Sequence, residues 1–264
     1  MKNNNLQFEI GHLLIQVDNL ESAIHQYRQM GFHVVQGGLP GKTHNALIYL
    51  KDGAFLELFS TNHGRIMNKL LGLMVKLVGI FDLAYSCRLS RYLPGNNGLR
   101  DYALDSILVS QYQNNLEKIR ENGLVISKSH RKSRVDSRGI CLKWTLSLPE
   151  SVSLPFLMSE YQPAMKIEEK DVAHPNGVLG IKELNIATSQ WDKTYLEYSL
   201  LLGIEPEITV METSRSCLFP IQSASIHLME KKKDNIESVV LYGGSKLEST
   251  EKHAAFPSFI LLSS

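Results

Sequence analysis

Cysteine is scarce in this chain, with three in 264 residues. Cys87, Cys141 and Cys217 are far apart and odd in number, and no CxxC pair occurs. That argues against a disulfide scaffold or a zinc knuckle. Net charge is small as well, at +1, so no global field draws the chain to nucleic acid or acidic lipid. Aromatic residues do not interleave with a basic stripe, so nucleic-acid binding is not expected. No glycine-rich phosphate loop, dinucleotide fingerprint or GxSxG nucleophile elbow is present. Long hydrophobic runs are missing too. Residues 66 to 93 are strongly apolar, but Lys69, Lys76 and Asp82 interrupt them. No uninterrupted stretch reaches the ~20 residues of a membrane span. MKNNNLQFEI at the start has no apolar core suited to a signal peptide. The expected compartment is a reducing cytoplasm.

What the chain does have is repetition. EIGHLLIQVDNLESAIHQYRQMGF (9 to 32) and GIKELNIATSQWDKTYLEYSLLLGI (180 to 204) open alike, and RDYALDSILVSQYQNNLEKIRENGL (100 to 124) is a weaker copy. Each reads as an apolar strand, a capped helix and a glycine, with further strands following. In the first unit, Leu13, Ile15 and Val17 fall on one strand face, and His12, Leu14 and Gln16 on the other. Asp18 with Glu21 has capping-box spacing. Leu20, Ala23, Ile24, Tyr27 and Met30 form the helical stripe, and Gly31 stands where a left-handed helix end favours glycine. FHVVQ, THNALIYL and AFLELF are the next strands. Asp52-Gly53 makes the last two a hairpin.

The second unit runs from about 98 to 161. Its basic stretch SHRKSRVDSR (129 to 138) reads as a solvated hairpin loop, with anion binding as the sharper alternative. Residues 161 to 180 are polar with two prolines and read as a linker. In the third unit Ser189 and Asp192 repeat the cap spacing, and Gly203 the stop. The apolar stretch 66 to 93 reads as one or two amphipathic helices packed on the body. A lid over an apolar pocket is the second reading, and membrane-surface attachment, with Arg65, Lys69, Lys76, Arg88 and Arg91 facing headgroups, is the third.

The order and spacing of GHLLIQVDNLESAIHQYRQMGF, THNALIYL, GAFLELF and LKWTLSLPESVSLPFLMSEY with HPNGVLGI resemble the glyoxalase-like domain family of the vicinal oxygen chelate superfamily. The resemblance implies an α+β fold in which βαβββ units curl into a cup-shaped mixed sheet. The stretches that carry it span most of residues 9 to 181; with the repeats read above, the chain divides into paired units over 8–161 with a helical insertion at 64–95, a linker at 162–179, and a third half-module over 180–264. The resemblance also implies metal ligands on the first and fourth strand of each unit. The matching residues in unit one are His12 and Glu57, and strand alternation separately turns both away from the helix. Imidazole and carboxylate suit a divalent cation such as Zn, Ni, Mn or Fe.

Unit two departs from the pattern, with Phe156 at the fourth-strand position and Tyr102 or Leu104 at the first. Asp101 and Asp105 stand close to that register. Unit three offers Glu183 and His227, in swapped order. Pairing of units one and three would bring two histidines and two glutamates together. Pairing of units one and two, which adjacency favours, leaves His12 and Glu57, with His44 or His63 to complete a set. Glu57 and His44 are the catalytic candidates, and Asn45, Phe55, Tyr102 and Trp144 the substrate-binding ones. The functional expectation is a metal-dependent isomerase, lyase or dioxygenase acting on a small substrate with vicinal oxygens. The alternative is a non-catalytic protein that binds or sequesters a small molecule. Homodimer formation stays open.

Overall fold

A computed structural model of the chain describes residues 6–37, 45–61, 65–80, 82–93, 97–136, 138–243 and 258–261. The first repeat forms β1 (Phe8–Gln16), α1 (Leu20–Gln29), β2 (Val35–Gln36), β3 (Asn45–Tyr49) and β4 (Phe55–Phe59). A helical hairpin follows, α2 (Arg65–Val78) and α3 (Leu83–Ser90). The second repeat forms β5 (Gly98–Ser106), α4 (Tyr112–Glu121), β6 (His130–Val135), β7 (Cys141–Ser147) and β8 (Phe156–Met158). These eight strands make one curled mixed sheet in the order β2-β3-β4-β1-β5-β8-β7-β6.

After a short α5 (Glu169–Val172), the third repeat forms β9 (Gly180–Thr188), α6 (Trp191–Leu202), β10 (Ile208–Val210), β11 (Arg215–Ile221) and β12 (Ala224–Glu230). Two further strands, β13 (Asn235–Tyr242) and β14 (Ser258–Leu261), complete a second sheet in the order β10-β11-β12-β9-β13-β14. β13 lies antiparallel to β9, and β14 parallel to β13. β5 and β8 stand in the same relation to β1. The third repeat therefore has the opening of a fourth beside it.

Alternation places the core. Leu13 and Ile15 of β1, Leu56 and Leu58 of β4, and Tyr102 and Leu104 of β5 turn toward the helices. One apolar core joins these residues to Tyr27, Leu116 and Ile119 of α1 and α4, and to Leu184, Tyr198, Phe219 and Ile226 of the second sheet's side. Burying a side chain of this size stabilises the fold by roughly 1.5–3 kcal/mol. The two sheets thus share one interior, and their other faces form two cups. Inside the interior the Tyr102 and Tyr198 hydroxyls share a hydrogen bond of 2.7 Å.

Local signals differ from expectation in three places. Asn19, not Asp18, caps α1, its Oδ1 accepting from the Ser22 N–H at 2.8 Å. Asp18 lies one residue too early and accepts from Asn97 Nδ2 instead. Gln190 stands at the N-cap of α6 without a side-chain cap bond, because Ser189 donates its hydroxyl to Asp234. The basic stretch expected as a loop is largely the edge strand β6, paired with β7 from His130↔Leu146 to Val135↔Cys141. Alternation there turns His130, Lys132 and Arg134 toward the cup side and Arg131, Ser133 and Val135 to solvent.

Candidate functional site

The concave face of the first sheet carries His12, Leu14 and Gln16 from β1, Asn45, Leu47 and Tyr49 from β3, and Phe55 and Glu57 from β4. Asp101, Ala103 and Asp105 from β5, Phe156 from β8, Trp144 from β7 and Arg134 from β6 share it. His12 and Glu57 come together as expected, with His12 Nε2 4.0 Å from Glu57 Oε2. His12 is 4% exposed and stacks flat on Phe55, ring centroids 4.5 Å apart, with the edge of Phe156 at 5.2 Å. Burial, helped by the positive charge of Arg134, pushes its pKa down to about 3. The imidazole is therefore neutral at physiological pH, and its Nδ1 has no hydrogen-bond partner among the described residues.

Glu57 is held differently. Its Oε1 accepts from Asn45 Nδ2 at 2.6 Å. Burial raises its pKa, opposed by that hydrogen bond and by Arg134. Gly37 makes the arrangement possible, because a Cβ there would come within 1.9 Å of Asn45 Oδ1. Asp105 lies on the same face with its carboxyl pushed well above the usual range by burial and by Glu9 and Glu160. Gly11 gives that carboxyl its room, since a Cβ would sit 2.2 Å from Asp105 Cγ.

Trp144 faces the cup, edge-on to Tyr161 at 5.1 Å. Tyr102 does not, because its ring lies on the helix side, bonded to Tyr198. Tyr102 is therefore corrected from substrate contact to a core residue. His44 lies outside the described residues, as does His63.

The register shows what became of the matching half-site in unit two. β1 and β5 pair about Leu13↔Tyr102, with bulges at Gly11 and Arg100 on either side. The two-fold that exchanges these strands takes His12 onto Asp101 rather than Tyr102 or Leu104. It takes Glu57, opposite Leu14, onto Phe156, opposite Ala103. The bulges explain the slip, since one extra residue moves every later side chain to the other face. Asp101 is already engaged. Arg88 of α3 forms an ion pair with it at 3.2 Å, and the Tyr92 hydroxyl donates to it at 2.5 Å. The Arg88 guanidinium also reaches the Leu154 carbonyl and stands 5.8 Å from the Phe156 ring centroid.

The membrane-attachment reading placed Arg88 among headgroup-facing cations, whereas it is 3% exposed and paired with Asp101; Arg134 was not singled out. Arg134 lies against the Tyr161 ring at 5.5 Å and Met165 Sδ at 3.8 Å, and its Nε is buried without a partner among the described residues. It also lines a cleft of about 300 Å3 with Val35, Leu47, Tyr49, Leu142 and Met165 at the open side of the cup. Alternation within the basic stretch was the signal that could have found it.

A resident divalent metal would rest on the donors present. Among the described residues no group of three or more His, Cys, Asp or Glu converges. His12 and Glu57 give two donors, Asp101 is bound by a guanidinium, and Phe156 has none to give. A zinc-type centre takes three or four protein ligands. The described residues do not make that set.

The sequence matches the family model for the glyoxalase-like domain over residues 10–202. Comparison with curated proteins gives no match. Among solved structures, a hypothetical protein from Staphylococcus aureus superposes with a TM-score of 0.71 at 11% identity, covering 97% of this chain and 100% of that one. The Mn(II)-bound glyoxalase from Novosphingobium aromaticivorans gives 0.52 at 9%, over 90% of this chain and 66% of that one. The 2,3-dioxygenase LapB from Pseudomonas sp. KL28 gives 0.51 at 11%, over 92% and 77%. At these identities the structural likeness establishes the fold. With the family match covering most of its length, the chain belongs to the glyoxalase-like domain family, within the vicinal oxygen chelate superfamily.

Proposed function

We propose that the first cup is the site of an isomerase or lyase that moves a proton on a small substrate with vicinal oxygens, with Glu57 as the base. The observation that carries this reading is the Asn45–Glu57–His12 arrangement on the concave face. A carboxylate with a raised pKa sits closer to the range in which a general base works at neutral pH. Asn45 fixes one oxygen and leaves the other turned toward His12. Neutral His12 offers a hydrogen bond without adding charge. Arg134 supplies positive charge on the same face, which would offset negative charge developing on a substrate oxygen. Phe55, Phe156 and Trp144 provide apolar walls. The expected divalent metal finds two donors here, so no step is routed through it.

A second reading, binding without turnover, is favoured by one observation. The unit-two positions that match His12 and Glu57 hold Asp101, ion-paired with Arg88, and Phe156, and neither offers a free reactive group.

The deciding experiment follows deuterium uptake from D2O by NMR into a panel of small 2-hydroxy and 2-oxo carbonyl compounds. Wild type is expected to exchange the C–H next to the carbonyl of at least one compound. Glu57→Gln should slow this by roughly 10²–10⁴-fold, the usual contribution of a positioned base. If no compound exchanges, yet one raises the melting temperature of wild type and Glu57→Gln equally, the binding reading replaces the enzyme. Elemental analysis of the same preparations tests the donor count. Near-stoichiometric metal, lost in both His12→Ala and Glu57→Ala, would overturn the metal-free account.

A further inference from the structure

α2 presents its apolar stripe outward. Leu70 is 49% exposed, Leu73 55%, Met74 55%, Leu77 51% and Ile80 73%, with Leu83 at the start of α3 at 66%. Positions 70, 73, 74 and 77 share one helical face. The opposite side of α2 is its attachment, with Val75 buried at 7%. α3 locks against it, the Ser86 hydroxyl donating to the Val75 carbonyl at 2.7 Å. α3 itself is fixed to the first sheet by the Arg88–Asp101 pair and by Tyr85, whose ring stacks on His130 at 4.8 Å. The hairpin is thus held by one side while its most apolar side meets solvent. Packing on the body, expected for this stretch, therefore holds for its inner face only.

Scattered exposed leucines need no explanation, but a contiguous row on one helix marks a contact surface. Charge selects the occupant. Residues 58–81 contain no Asp or Glu and three Lys or Arg. Lys69 and Lys76 are exposed at one flank of the stripe, and neither has a carboxylate partner among the described residues. A second copy seated on this face would bring the same stripe and the same cations, with no counter-charge from its own helix. An anionic lipid surface answers both features, since an amphipathic helix lies in the interface with apolar residues inserted and lysines among the headgroups. At 14 residues, α2 is roughly 21 Å long. That is shorter than the ~30 Å hydrocarbon core, and no described helix is long and apolar enough to cross a membrane.

We infer that α2 docks the protein on membranes bearing anionic lipid, lying flat with Leu70, Leu73, Met74 and Leu77 inserted and Lys69 and Lys76 at the headgroups. Because α3 joins α2 to the cup, docking would set the closed end of the site beside the bilayer.

The test is co-sedimentation of the full chain with vesicles of phosphatidylcholine alone or mixed with phosphatidylglycerol, at low and high salt. Wild type should pellet with the mixed vesicles, less so at high salt, and stay soluble with phosphatidylcholine alone. Leu73→Asp with Leu77→Asp should abolish pelleting. Lys69→Glu with Lys76→Glu should weaken it at least ~tenfold. Both variants alter exposed side chains, and unchanged thermal melts would confirm their folding. Failure of wild type to pellet overturns the inference. So does pelleting that ignores lipid charge and both double variants. A wild-type dimer that Leu73→Asp with Leu77→Asp converts to monomer, with no vesicle binding, would instead assign the face to a second copy.

Discussion

The two cups carry the same pair of residue types in opposite order and in opposite surroundings. In the first, imidazole comes from β1 and carboxylate from β4. In the second, Glu183 comes from β9 and His227 from β12, opposite Asn185 as Glu57 is opposite Leu14. His12 and Glu57 side chains are 5% and 20% exposed, whereas His227 and Glu183 are 31% and 28%. The second pair is close, at 3.8 Å, and His227 Nδ1 lies 3.0 Å from Asn185 Oδ1. What differs is cover. The α2–α3 hairpin joins β4 to β5 and sends Tyr85 and Arg88 over the first cup. Tyr161, Met165, Ile167 and Val172 pack along its other side. Between β12 and β13 the chain makes only a short turn. Burial, not residue type, is what shifts the pKa values of the first pair.

The largest expected break in this comparison is acid sensitivity through His12. Its folded pKa is depressed to about 3 from 6.5, so its contribution is complete above 6.5 and is lost as pH falls toward 3. That window is worth on the order of 5 kcal/mol at most. Urea denaturation of wild type and His12→Gln across it should show a steep loss in the first and a flatter one in the second. Equal slopes would mean that the imidazole is not buried in neutral form.

Arg88→Ala comes next. It strands the Asp101 carboxylate, 1% exposed, without its counter-charge, and should cost about 3–5 kcal/mol in denaturant titrations. Its two-fold counterpart in the second cup is Ser238, which accepts one hydrogen bond from Asn185 at 3.1 Å. Ser238→Ala should cost about 1 kcal/mol. Similar losses at the two positions would remove the distinction between a clamped cup and an open one.

The sign for Glu57 runs the other way from His12. Its folded pKa is raised, so stability falls as pH climbs from the ordinary glutamate value through the raised one. Glu57→Gln should therefore raise the melting temperature at neutral pH and leave it unchanged in acid. The smallest effect belongs to the open cup. Glu183→Ala and His227→Ala, at half-buried positions open to solvent, should each change stability by no more than about 0.5 kcal/mol.

Much of this was legible in the sequence. The strand–helix openings, the Asp52-Gly53 hairpin and the inward turn of His12 and Glu57 follow from period and turn chemistry. Gly203 does close α6 in the left-handed region, with φ 67°. Asp101 was not assigned, because two single-residue bulges shift β5 against a strict alternation, and bulges leave no mark in composition. Arg134 was hidden because a polar strand at a sheet edge looks like a loop. The outward stripe of α2 could not be read either. Periodicity finds an apolar face but does not say whether the face meets protein or solvent. The polar stretch after β8 looked like a linker, yet His174 within it is buried, 2.8 Å from the Tyr49 carbonyl and accepting the His33 N–H at 3.0 Å. Its partners lie more than a hundred residues away, beyond any local pattern.

The exchange of histidine and glutamate between the cups separates backbone position from residue identity. Both strands of each pair aim a side chain at the same point, so either can supply either group. The two cups therefore share the backbone positions that meet, and differ in which group each strand places there. A search for relatives of this chain that demands histidine first and glutamate second would miss its own second half.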